Sequence, residues 1–162
     1  DENHMHRFKA YTDALKRHGI EPDEKLVIAH IPTLHGQEAG YLQTLHLFRQ
    51  APDVTAVIAS NDTMAEGVYK ACWENGRRIP EDISIIGFDD LPGSAYRNPP
   101  LTTVAQPLYE IGYKAANYLY LHLSGTLPEL PGETLETKLI IRNSTAQAGQ
   151  NLNKRSIQGE KP

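Results

Sequence analysis

The stretch ISIIGFDDLPGSAYRNPPLTTVAQPLYEIGYKAANYL, residues 83–119, decides the fold class. It opens with ISIIGF (83–88), a short continuous run of mostly branched apolar residues, as in a strand covered on both faces. Asp89-Asp90 and Leu-Pro-Gly then break the run. LTTVAQ (101–106) reads as the next strand, and Pro107 enters a helix over 107–124 at a position where its missing N–H costs nothing.

Toward the N-terminus the same alternation continues. TAVIAS (55–60) is a strand, followed by a helix over 62–75 with Ala65, Val68 and Cys72 in register. Asn61 or Asp62 caps that helix and Gly76 ends it. A helix over 37–50 places Tyr41, Leu45 and Phe48 on one face, and KLVIAHI (25–31) reads as a strand. Residues 3–18 form a helix with Phe8, Tyr11, Ala14 and Leu15 at spacings of three and four, stopped by Gly19. Toward the C-terminus TKLIIR (137–142) is a last strand. Strands alternating with helices make the class α/β with a largely parallel sheet. Residues 146–162 lack periodicity and read as a flexible tail. The helix over 107–124 is apolar on two faces, Leu108, Ile111, Ala115 and Leu119 on one and Tyr113, Ala116, Tyr120 and Leu123 on another. That pattern implies burial on more than one side. The helix is central, or its Tyr rings lie partly exposed, or its second partner lies in polypeptide outside this chain.

Composition bounds the function. A length of 162 residues with 40% hydrophobic residues suits one domain with a real core. The single Cys72 excludes an intramolecular disulfide and a cysteine zinc site. There is no apolar run of about 18 residues, and the polar start DENHMHRFKAY shows no signal peptide. A net charge of -4 argues against this chain itself gripping nucleic acid.

In an open parallel sheet, ligands bind beyond the carboxyl ends of the strands. The polar residues there are Ser60-Asn61-Asp62, Asp89-Asp90 and Gln106, with Thr33 and His35 after the first strand. Amides and carboxylates on separate loops of one rim suit a polyol or a heterocycle, because Asp accepts hydroxyl protons while Asn and Gln donate and accept. Each also has a plainer reading: Asn61-Asp62 as a helix cap, Asp89-Asp90 as a turn, His35 as a surface loop residue. The other histidines (4, 6, 18, 30, 46, 122) show no metal spacing. GxGxxG, GxxxxGK[ST] and GxSxG are absent, and no Ser has a nucleophile's context. A phosphoacceptor receiver domain needs an early acid pair and a Lys after the fourth strand, where this chain has Gln106-Pro107.

Residues 83–119 resemble the effector domain of the LacI/GalR transcriptional repressors, as do AVIASNDTMAEGVYKACWENGRRIPEDI (56–83) and LIIRNST (139–145). RFKAYTDALKRHGI (7–20) is similar to that family's Arg-x-x-Gly-aromatic helix, with Ala10 where Gly is usual. The resemblance implies a parallel-sheet sandwich of the periplasmic-binding-protein-like type, mainly its second subdomain. Residues 1–105 would be part of that subdomain, 106–134 the crossover and a helix of the first, and 135–145 the returning strand. The helix-turn-helix head and most of the first subdomain would lie outside this sequence.

The resemblance further implies a cytoplasmic, non-enzymatic regulator without a cofactor or membrane partner. It would sense a sugar-like or nucleoside-like effector and reach operator DNA only through the head. The alternative is a periplasmic-type sugar-binding or sensor protein. Effector contacts carry over to Arg7, Asn61, Asp89 and Gln106, with His35 where many members place a stacking aromatic ring, and Asp62 more a cap than a contact. Members dimerise side by side, and the matching surfaces, helix 62–75 and loop 93–100, carry Tyr69, Trp73 and Tyr96 as anchors of a homodimer.

Overall fold

The computed structural model describes residues 2–29 and 33–147. Most of the expected flexible tail, from residue 148 on, lies outside the described residues, as do His30 and Ile31 of the first expected strand. A four-stranded sheet has the order β1-β2-β3-β4. β1 (Ala56–Ile58), β2 (Ser84–Asp89) and β3 (Thr102–Ala105) are parallel, with Ile58 opposite Ile86 and Asp89 opposite Ala105. β4 (Lys138–Ile140) returns antiparallel to β3. The helices are α1 (Glu2–Arg17), α2 (Gly36–Gln50), α3 (Asp62–Glu74) and α4 (Leu108–Leu123). None of them is long and apolar enough to cross a membrane.

The core lies between α3 and the sheet. Ala65, Val68 and Cys72 of α3 meet Ala59, Ile83, Ile85 and Leu101. The chain after β4 locks the sheet from below: Ser144 Oγ donates to the Ile85 carbonyl and accepts from Thr102 N–H, and Ile85 N–H donates to the Ser144 carbonyl. α2 covers α3 through its small residues. A Cβ on Gly67 would come within 2.1 Å of the Gln37 carbonyl oxygen, so the helices touch backbone to backbone. The buried face of α2 is therefore Ala39, Gly40, Gln43, Thr44 and Leu47, whereas Tyr41, Leu45 and Phe48, expected to form the face, are only half-buried.

Two further expectations are corrected. The strand over 25–31 does not form among its described residues: Glu24–Leu26 is a 3-10 turn and 27–29 are irregular. Its carbonyls at Lys25 and Ala29 accept from the side chains of Gln50 and Gln43 on α2, which take the place of a neighbouring strand. The reading of the helix over 107–124 as central is the second: α4 buries none of its residues, with Tyr109 87% and Leu123 77% exposed, and the readings with exposed Tyr rings or a partner outside this chain stay open. Its tertiary ties run to the segment that follows it, from Lys114 and Tyr118 to Glu133 and from His122 to the Leu127 carbonyl.

Candidate functional site

The carboxyl ends of β1, β2 and β3 form one rim, and its shape is set by a turn that costs energy. Asp89 has φ 115° and Asp90 φ 55°. Left-handed backbone at a residue other than Gly costs about 1–3 kcal/mol and persists only where the surroundings fix it. Three side chains do so: Gln106 Nε2 donates to Asp89 Oδ1 at 2.6 Å, Arg142 donates to Asp90 Oδ1 at 2.7 Å, and Leu91 N–H donates to Asp62 Oδ2 at 2.9 Å.

Asp62 is the anchor beneath the rim. It is 3% exposed, and its carboxylate also accepts from Ser94 Oγ at 2.5 Å and Thr103 Oγ1 at 2.6 Å. One carboxylate thus ties α3 to β3 and to the loop after β2. Gly87 makes room for it, since a Cβ there would sit 2.2 Å from Asp62 Oδ1. The expected role of Asp62 as a cap is corrected. Asn61 is the N-cap, accepting from Met64 N–H at 2.8 Å, and Asp62 turns into the interior because three donors converge on it there.

Arg7 brings α1 to the same rim. Its guanidinium carbon lies 3.9 Å from the centre of the Phe88 ring, and one N–H donates to the Ser60 carbonyl. Ser60 precedes Asn61, and Phe88 precedes Asp89. Arg7 therefore stands between the exits of β1 and β2, and the Asp89–Gln106 bond extends the row to the exit of β3. His35 occupies the N-cap position of α2 and is exposed; the next residue, Gly36, lies against Thr63, two residues beyond Asn61.

The row alternates in hydrogen-bonding character. Among the described residues, Asn61 Nδ2 remains a donor, Asp89 Oδ2 and Gln106 Oε1 remain acceptors, and Arg7 keeps further N–H groups. Hydroxyl groups, which donate and accept at once, match such a set. Cys72 offers no nucleophile, because burial pushes its thiol up to about 12.

The three expected interface residues differ in setting. Trp73 is 80% and Tyr96 89% exposed, whereas Tyr69 packs on the core and donates to the Pro99 carbonyl at 2.8 Å. That bond and an Arg97–Glu66 ion pair fasten the loop after β2 to α3, so Trp73 and Tyr96 belong to adjoining surfaces. Sequence reasoning missed Phe88, Asp62 as a buried anchor, and Arg142. The polar pair Thr102-Thr103 in an otherwise apolar strand was the available signal for Asp62.

A family model described as a periplasmic binding protein-like domain matches residues 1–145. The HTH-type transcriptional repressor CytR of Escherichia coli (strain K12) is 37% identical over 140 residues, 86% of this chain and 40% of that protein. Among solved structures, a transcriptional regulator CelR–cellobiose complex matches with a TM-score of 0.79 at 34% identity, covering 85% of this chain and 41% of that one. A LacI family transcriptional regulator from Enterococcus faecium with bound ribose matches with a TM-score of 0.76 at 35% identity, covering 86% and 51%. The chain thus spans about 40% of the length of CytR and of other curated regulators that it matches.

Proposed function

The chain belongs to the periplasmic binding protein-like domain family, and on that premise we propose that it is the effector-binding and dimerisation part of a LacI/GalR-type transcriptional regulator. It binds a sugar-like or nucleoside-like ligand at the sheet rim, catalyses no reaction, and controls DNA binding by a helix-turn-helix head in a longer, cytoplasmic, homodimeric protein. The observation that carries the proposal is the convergence at the rim. Asp89 and Gln106, from the ends of two neighbouring strands, meet at 2.6 Å with Asp89 Oδ2 and Gln106 Oε1 open among the described residues, and Arg7 lies beside them over Phe88. The names of the relatives, regulators rather than periplasmic carriers, support the regulator over the alternative.

Control works by population shift: ligand favours one arrangement of the two subdomains and operator another. The exposed apolar faces of α4 support a first subdomain that covers them, since a surface of that kind marks an interaction site. His35 faces the ligand from the opposite end of the row, and Trp73 and Tyr96 anchor the dimer. The test is a thermal-shift and calorimetric screen of the protein against ribose, cellobiose, adenosine and cytidine. Saturable binding that fails in Asp89→Ala is expected. Saturable binding that survives that substitution unchanged contradicts the proposed site.

A further inference from the structure

Asp89 acts in the proposed site only if its backbone stays in a conformation that Asp resists, and the contacts around it indicate what keeps it there. We infer that Arg142 is a positioning residue for Asp89, working through Asp90: its guanidinium clamps the left-handed turn that aims the Asp89 carboxylate at Gln106.

Arg142 is well placed for this. It follows β4 and is held by its own surroundings before it meets Asp90. Its backbone N–H donates to Thr102 Oγ1 at 2.9 Å, and one guanidinium nitrogen donates to the Leu101 carbonyl at 2.8 Å. The other terminal guanidinium nitrogen donates to Asp90 Oδ1 at 2.7 Å, with both side chains largely covered (18% and 26% exposed). With its backbone pinned on Thr102 and its guanidinium on the Leu101 carbonyl, the planar fork delivers its second bond at a defined point. Because Leu91 N–H is tied to Asp62, the turn is gripped on both sides of the Asp90 carbonyl. Asp89, with φ 115°, is left the single direction that meets Gln106 at 2.6 Å. Arg142 thus shapes the rim from the sheet's far edge, and its ion pair with Asp90 leaves Asp89 and Arg7 as the charges the rim offers a ligand.

A double-mutant cycle separates this role from plain support of the fold. Gly adopts positive φ without help, so Asp90→Gly removes the need for the clamp. The readout is the nuclear magnetic resonance signal of the Gln106 side-chain amide, which requires no ligand. In the otherwise unchanged chain, Arg142→Met should move that signal to the position of a free amide, and Arg142→Lys should move it part of the way. In the Asp90→Gly background, Arg142→Met should leave it where it was. An unmoved signal in the first background, or equal displacement in both, overturns the inference.

Should Arg142→Met not fold, Asp90→Asn breaks the ion pair from the other side. It must displace the same signal, and a signal left in place overturns the inference equally. The inference rests on the ligand-site reading of Asp89, and the two can fail separately. Loss of ribose or cellobiose binding by about tenfold in Arg142→Met speaks to both, whereas the Gln106 signal decides the clamp even if neither sugar binds.

Discussion

Gln106 donates its side-chain amide to Asp89 across 2.6 Å, and this bond joins the exit of β2 to the exit of β3 immediately before α4 begins. Anything that engages Asp89 therefore acts on the residue pair from which α4 departs. In the proposed function this is the physical link between ligand and the movement of the part of the protein that α4 belongs to.

Asp89 trades stability for function. Asp89→Ala should lower ligand affinity by about 10- to 100-fold, the loss of a charge-assisted hydrogen bond of about 1.5–3 kcal/mol. Asp89→Gly should lose the same affinity and also unfold later in urea, by about 1 kcal/mol, because Gly relieves the backbone at φ 115°. A Gly variant no more stable than the Ala variant would show the turn to be unstrained.

Asp62 is structural and should behave so. Asp62→Ala leaves three donors facing the vacated interior, from Leu91, Ser94 and Thr103, and should cost at least about 3 kcal/mol in urea denaturation. Gly87→Ala should cost a similar amount, because the new methyl would press on the same carboxylate from 2.2 Å. Gly112→Ala on α4 is the control: nothing lies within 4 Å, and the helix should gain up to about 1 kcal/mol.

Alkaline pH should weaken the fold through two buried acids. Burial raises Tyr69 from 10.0 to about 12 and Cys72 from 9.0 to about 12. Above their unfolded values the native state holds more protons than the unfolded chain, so stability falls as pH rises. It is fully present below pH about 9 and lost as pH passes about 12. Urea midpoints at a series of pH values should decline through that window. Tyr69→Phe should flatten the decline while costing about 0.5–1.5 kcal/mol at neutral pH for the lost bond to Pro99.

The surface of Trp73 and Tyr96 should carry self-association. Sedimentation of Trp73→Asp and of Tyr96→Asp should shift toward the monomer. Substituting Tyr69 is a poorer probe, because its hydroxyl holds the loop to α3. If both variants sediment like the parent chain, the interface lies elsewhere, and Leu119→Lys and Leu123→Lys would show whether the exposed faces of α4 are responsible.

Much of the fold was legible because periodicity and punctuation agreed. Residues 83–88 and 101–106 read as strands, and the helix after Asn61 carried Ala65, Val68 and Cys72 on the face that the core buries. Reading failed where geometry depended on distant partners. KLVIAHI has a strand's composition, yet its described carbonyls are taken by glutamines of α2, and composition does not say which strand lies alongside. The aromatic stripe of α2 outshone Gly40 and Thr44, because close backbone approach favours residues that hydrophobicity ranks low. At the rim the sequence suggested Asp89 and Gln106 separately, and only the sheet register brought them into contact. Arg142 lies 52 positions from Asp90, too far for any local pattern to pair them.

The most direct test is a nuclear magnetic resonance titration of this chain with the same panel of sugars and nucleosides. If the rim is the ligand site, at least one compound moves the signals of Asn61, Asp89 and Gln106 and the Arg7 side chain together, along one saturation curve, and Asp89→Ala abolishes the response. Compounds that bind while leaving those four residues still, or that move them equally in Asp89→Ala, would contradict the account.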